Sequence, residues 1–299
     1  MEQVLHVLQE SRRRMKAVIT AGGEGTRLYP SSRAFPKELI HFCGIPVIEY
    51  GIKILKENNI TDIYVVTGRK KGALQDYLGD GSLFGVNIAY VTQEEPKGLG
   101  DAVLCTRPHI EDSKDDNFVL LLGDTIFTNF RDLDKILAFH QQHDAIATVL
   151  VQKIQSRPER YGVVKFKNYN GTYGYGEAEC FYEKPGPEIK EEFNLGGYWL
   201  AIAGLYVLNK EIFSYLEKTP VGRNSELQLT DALSQSLNDS KKVLAYEMKG
   251  KRVDVGSWEY LVDERQHYRD MSDCDLNQIC KSRTNILQKI LTNKKGQIK

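Results

Sequence analysis

The segment Ala21-Gly22-Gly23-Glu24-Gly25-Thr26-Arg27-Leu28-Tyr29-Pro30 follows a short apolar run and leads shortly into Pro36-Lys37-Glu38. Three glycines in four positions leave backbone N–H groups uncovered, and Arg27 and Lys37 bring two cations to the same turn. That composition suits a polyphosphate. Two familiar phosphate-loop formulas do not apply: a dinucleotide fingerprint needs glycine where this chain has Leu28, and the Gly-Lys-Ser/Thr of ATPase loops is absent.

Carboxylates stand where apolar runs end. Asp124 follows Phe118-Val119-Leu120-Leu121-Leu122-Gly123, and Asp254 lies in Arg252-Val253-Asp254-Val255-Gly256-Ser257. Acids so placed either cap the next turn or hold Mg²⁺ against phosphate oxygens; two opposite one Gly/Arg/Lys loop favour the metal. Glu183-Lys184-Pro185 sets a hydroxyl-binding carboxylate beside a cation, or is a solvated pair before a proline turn. Gln93 carries both an amide donor and an acceptor, which suits the edge of a nucleobase. His140 and His143 have metal-ligating spacing with Asp144 beside them, but their polar segment reads them as surface histidines. With no Gly-x-Ser-x-Gly and no cysteine beside an evident base, direct in-line displacement fits better than a covalent intermediate.

These residues need elements to hold them. Apolar, β-branched runs at 17–20, 63–67, 88–92, 118–122 and 147–151 alternate with helical patterns at 46–58, 99–106 and 133–143. The alternation predicts an α/β fold with a mostly parallel sheet and helices on both faces, binding ligands beyond the C-terminal strand ends. After residue 151 the pattern becomes short strands and turns, at 161–166, 179–183 and 201–208 around a glycine-tyrosine loop at 170–176, suggesting a smaller sheet region beside the cleft. A helix over 225–237 with Ser225 as N-cap, strands at 243–248 and 252–255, and a helical end from 258 complete the expectation.

The 299 residues carry equal numbers of acidic and basic side chains, so net charge gives no case for nucleic acid or an anionic membrane as partner. The five cysteines, Cys43, Cys105, Cys180, Cys274 and Cys280, include no Cys-x-x-Cys pair and read as reduced packing residues of a cytoplasmic protein. No run reaches the roughly 20 apolar residues of a membrane span. Residues 1–14 read as an extension, 15–270 as the functional domain in two parts that meet at about residue 150, and 271–299 as a helical tail.

In order along the chain, Gly22–Pro30, Pro36-Lys37-Glu38-Leu39, Leu122-Gly123-Asp124, Tyr161-Gly162-Val163-Val164, Glu183-Lys184-Pro185, Glu226-Leu227-Gln228-Leu229-Thr230-Asp231 and Val253-Asp254-Val255-Gly256 resemble the motif set of the sugar-1-phosphate nucleotidylyltransferases. The resemblance spans about residues 15–269 and implies a Rossmann-like nucleotidyltransferase fold, a nucleoside triphosphate and a sugar 1-phosphate as partners, and release of pyrophosphate. It implies that Ala21, Gly22, Gly23, Gly25 and Thr26 hold the nucleotide, with Gln93 and Gly98 at its base. Arg27, Lys37 and Lys184 become the catalytic cations, with Arg27 and Lys37 on the leaving pyrophosphate. Gly162, Glu183, Lys184 and Glu226 hold the sugar phosphate, and Asp124 and Asp254 carry Mg²⁺. Pro36-Lys37-Glu38-Leu39 resembles the branch that uses UTP and glucose 1-phosphate. Asn224, where thymidylyltransferases often place an arginine, leans the same way, with Arg223 displaced by one position. A dTTP-using enzyme and a catalytically silent nucleotide-sugar sensor are the alternatives. A dimer or tetramer is expected from the family habit.

Overall fold

Strand and helix segments follow one another as the β-branched runs and helical spacings dictate. The computed structural model describes residues 15–256 except 43, 70, 129, 170, 172–173, 187–190, 192 and 223–224. The expected N-terminal extension, the helical end from 258, the tail, Cys43, Cys274, Cys280, Arg223 and Asn224 lie outside the described residues.

The first half runs β1 (Lys16–Ala21), α1 (Ser31–Ala34), the short hairpin β2 (His41–Phe42) and β3 (Ile45–Pro46), α2 (Val47–Glu57), β4 (Asp62–Gly68), α3 (Gly72–Leu78) and β5 (Asn87–Gln93). It continues with α4 (Leu99–Leu104), α5 (Arg107–Glu111), β6 (Asn117–Leu122), β7 (Thr125–Thr128), α6 (Leu133–Gln142) and β8 (Ala147–Ile154). The second half adds β9 (Gly162–Phe166), β10 (Tyr175–Glu183), β11 (Trp199–Asn209), α7 (Ile212–Lys218), α8 (Leu229–Asn238), β12 (Val243–Glu247) and β13 (Lys251–Asp254).

Among the described residues, nine strands form one sheet in the order β5-β4-β1-β6-β11-β8-β12-β10-β9. All run one way except β11 and β10, which are antiparallel to their neighbours, so the sheet is mixed but mostly unidirectional. The strands after residue 151 extend this same sheet, with β11 inserted between β6 and β8. Alternate side chains sort to opposite faces, as a period of two requires. Val18, Leu120 and Val149 meet Val103, Phe213 and Leu233 of α4, α7 and α8 on one face. Ile19, Leu121 and Leu150 meet Ile52, Leu55, Ile136 and Leu137 of α2 and α6 on the other. Both faces are therefore covered, and the strand ends after Ala21, Gln93 and Leu122 are left to carry chemistry.

Two expectations are corrected. The helix expected from Ser225 begins at Leu229, with Gln228 in the N-cap position; Ser225 has a left-handed φ of 58°, so its segment turns before the helix starts. His140 is no surface histidine. It is 1% exposed, with Nδ1 2.9 Å from Thr148 Oγ1 and Nε2 3.0 Å from Asn117 Oδ1. The helical period puts it on the inner face of α6, and its polar neighbours in sequence concealed that.

Burial pulls the His140 imidazole down to about 4. The unfolded chain binds this proton from about pH 6.5 downward, and the native state binds it only near pH 4, so stability falls as pH drops through that window. The full difference is about 3 kcal/mol. His140→Gln retains an acceptor for Thr148 and a donor for Asn117. Urea denaturation at pH 7 and pH 4.5 is expected to show a smaller acid loss in this variant than in the wild type; equal losses would remove His140 as a cause.

Candidate functional site

Asp124 and Asp254 are 130 residues apart in the chain and meet because β13 pairs antiparallel with β7, setting Asp254 opposite Thr125. Val255 N donates to Asp124 O at 3.1 Å, and Gly256 N donates to Asp254 Oδ1 at 2.8 Å. Each acid faces a cation. Lys37 Nζ bonds Asp124 Oδ2, and Arg252 Nη2 lies 3.4 Å from Asp254 Oδ2. Burial would raise the Asp124 carboxyl, but Lys37 first and then Arg252 and Arg27 hold it below the ordinary carboxylate range. For Lys37, burial works against the charge, and Asp124 with Glu38 outweighs it, so the ammonium is held above its ordinary value. Behind this pair Lys71 Nζ bonds the fully buried Glu38 Oε2 at 2.7 Å, bracing the segment that carries Lys37.

A cleft of about 930 Å³ opens in front of the acids. Thr26, Arg27, Asp124 and Asp254 line one part of it; Gly162, Glu183, Lys184 and Glu226 line another. The expected sugar-phosphate residues are thus brought together with the expected metal ligands. Gly162 is a close-approach position, since a Cβ there would come 2.8 Å from Ile202 Cδ1 and 2.9 Å from Glu183 Oε2. Thr230 Oγ1 lies 3.5 Å from Glu183 Oε2, and Gln228 Nε2 donates to Glu226 Oε2 at 2.6 Å. Burial raises the Glu183 carboxyl; Lys184 opposes this, and Asp231 and Glu226 add to it.

Lys184 sits at φ 50°, a left-handed conformation that costs a non-glycine residue about 1–2 kcal/mol. Its side chain is half exposed at the cleft. If Lys184 holds the sugar phosphate, as the resemblance implies, Lys184→Gly raises KM for that substrate about tenfold, with Tm at or above the wild-type value. Steady-state kinetics with thermal denaturation checks this; an unchanged KM would take Lys184 out of the site.

The glycine loop divides this cleft from a second cavity of about 560 Å³, which is lined by Gly22, Gln93, Glu94, Pro96, Tyr29 and Phe35 among others. The expected nucleotide residues are therefore split, Thr26 and Arg27 facing the large cleft and Gly22 and Gln93 the smaller one. Gly23 lies over Lys37, a Cβ there being 3.6 Å from Nζ, and Ser32 Oγ ties the loop by donating to Gly25 O at 2.7 Å. Gly98, at φ 101°, has no room for a side chain: a Cβ would stand 2.6 Å from Leu227 O. Ala21 is the buried last residue of β1 and sets where the loop departs.

Arg252 escaped the sequence reading. It is 7% exposed in its side chain, packs over the Tyr161 ring at 5.0 Å, and its Nε has no hydrogen-bond partner among the described residues. The signal was present: Arg252 and Asp254 are two apart on one strand and therefore share a face. The Glu38–Lys71 pair gave no such signal, its members lying 33 residues apart.

The acids fit a divalent cation. A Cβ on Gly256 would lie 2.7 Å from Asp254 Oδ1, 3.0 Å from Arg27 Nη2 and 3.6 Å from Asp124 Oδ2, so the glycine keeps side-chain bulk out of a point where two hard oxygen donors and the Arg27 guanidinium converge. Two carboxylates completed by substrate phosphates are the donor set Mg²⁺ prefers.

The family model described as "Nucleotidyl transferase" matches residues 16–271. The chain is 36% identical over 263 residues to the UTP–glucose-1-phosphate uridylyltransferase of Bacillus subtilis strain 168, covering 81% of this chain and 86% of that protein. A crystal structure of UDP-glucose pyrophosphorylase complexed with UDP-glucose superposes with a TM-score of 0.73 at 28% identity, covering 85% of this chain and 98% of that one. A putative glucose-1-phosphate thymidylyltransferase from Bacillus anthracis, in complex with a sucrose, gives 0.72 at 29% identity, covering 86% and 96%. The chain belongs to the nucleotidyl transferase family and, within it, to the sugar-1-phosphate nucleotidyltransferases.

Proposed function

We propose that the chain transfers the uridylyl group of UTP to glucose 1-phosphate, giving UDP-glucose and pyrophosphate. The observation that carries the reading is the meeting of Arg27, Asp124 and Asp254 with Glu183, Lys184 and Glu226 in one cleft. The names of the Bacillus subtilis relative and of the UDP-glucose complex support the choice of substrates.

The reaction brings two anions together, so it depends on charge neutralisation and alignment rather than covalent chemistry. A phosphate oxygen of the sugar phosphate bonds to the α-phosphorus of UTP as the bond to the β-phosphate bridging oxygen breaks, the electron pair leaving with pyrophosphate. In this reading Arg27 and Lys37 hold the leaving phosphates, and Lys184 holds the attacking one. Glu183 and Glu226 accept hydrogen bonds from sugar hydroxyls, and the glycine loop cradles the nucleotide. Mg²⁺ on Asp124 and Asp254 would supply positive charge to the phosphate oxygens.

The thymidylyltransferase likeness keeps dTTP as a second reading. Initial rates of pyrophosphate release with UTP and dTTP at equal concentration, each with glucose 1-phosphate and Mg²⁺, separate the two. UTP is expected to be used at least about tenfold faster, because a site that hydrogen-bonds the ribose 2′-hydroxyl rejects the analogue lacking it; faster turnover of dTTP would replace the reading.

A further inference from the structure

Gln93 closes β5 and is 4% exposed. Its Nε2 donates to Asp101 Oδ2 at 2.6 Å and to Gly98 O at 3.1 Å. Both partners accept only, so the amide nitrogen must face them and the network itself fixes which way round the group stands. The Gly98 carbonyl also accepts from Ala102 N at 3.2 Å, and the peptides on either side of it are tied by Leu227 N donating to Lys97 O at 2.7 Å and Gly100 N donating to Leu227 O at 2.8 Å. On the other side Gln93 Oε1 stands over Gly22, where a Cβ would lie 2.6 Å from it. Toward Gly22 the buried amide thus presents an acceptor and no donor.

We infer that Asp101 is a positioning residue that sets base selectivity: by holding the Gln93 amide N–H groups it aims Oε1 at the imide N–H of a pyrimidine-dione and against cytosine. The inference rests on the proposed reading that the nucleotide's base docks at Gly22 and Gln93. Uracil and thymine both carry a donor at ring position 3, where cytosine has an acceptor. Cytosine would therefore set two acceptors against each other in a buried site, a mismatch worth roughly 5- to 150-fold in affinity. Asparagine at 101 has a donor of its own for Gln93 Oε1, which lets the amide turn; leucine offers no partner at all.

The test measures kcat and KM for UTP and CTP with glucose 1-phosphate in the wild type, Asp101→Asn and Asp101→Leu, with the same nucleotides titrated by calorimetry. In both variants the UTP/CTP ratio of kcat/KM is expected to fall at least about fivefold, through KM for UTP, with its kcat within about threefold. A ratio unchanged in folded variants overturns the inference, as does a wild type that prefers CTP. A wild type that turns over no triphosphate sinks the proposed reaction instead, and the calorimetric UTP/CTP ratio then judges Asp101 by the same criterion. Where neither variant folds, UTP methylated at N3 is tried on the wild type. Loss of binding supports the aimed acceptor, and binding equal to that of UTP refutes it.

Discussion

Lys37→Ala is expected to lower kcat about 10²- to 10³-fold, the usual cost of removing one preorganised charge from a transition state. The ammonium lies under Gly23 and on Asp124, where the loop and the acids meet. The variant also leaves the buried Asp124 carboxylate without its nearest cation. Breaking a buried pair of this kind costs about 3–5 kcal/mol, softened here by Arg252 and Arg27, which also act on Asp124. The two effects separate by experiment: saturating Mg²⁺ is expected to recover much of the lost Tm, because a metal ion neutralises Asp124, and to leave kcat low. A folded Lys37→Ala protein with wild-type kcat would remove Lys37 from the chemistry.

Asp254→Asn is expected to reduce kcat/KM by about 10³-fold or more, comparable to the loss of a developing-charge contact together with metal affinity. Asparagine retains an oxygen for Gly256 N, so the turn after β13 survives. The lost negative charge weakens one of the two oxygen donors at Gly256 and deprives Arg252 of its anionic partner. Activity measured against Mg²⁺ concentration is the check, with the midpoint expected to move to much higher Mg²⁺. An unchanged midpoint and rate would mean that Asp254 holds no metal.

The sheet was legible because both-face burial writes itself as β-branched runs, which is why β1, β4, β5, β6 and β8 fall where the apolar runs stand. The insertion of β11 between β6 and β8 was not, since an antiparallel strand of eleven residues carries no mark of its neighbours. Asp124 and Asp254 were legible as strand-end acids, whereas their meeting depends on the β7–β13 pairing, a long-range contact. Residue type leaves Gln93, the expected base reader, with donor and acceptor both open. The structure assigns its donors to Asp101 and Gly98, a fact of orientation that residue type does not carry. His140 was misplaced for a related reason, because polar flanking residues outweighed one buried face of a short helix.

In the proposed reaction a single displacement joins UTP to glucose 1-phosphate in the cleft between the glycine loop and Lys184. Phosphorus NMR of the wild-type protein mixed with UTP, glucose 1-phosphate and Mg²⁺ follows that displacement atom by atom. UDP-glucose and pyrophosphate are expected in equal amounts, and neither product when glucose 1-phosphate is omitted. Persistence of UTP and glucose 1-phosphate unchanged, or conversion of UTP to UDP and phosphate, would contradict it.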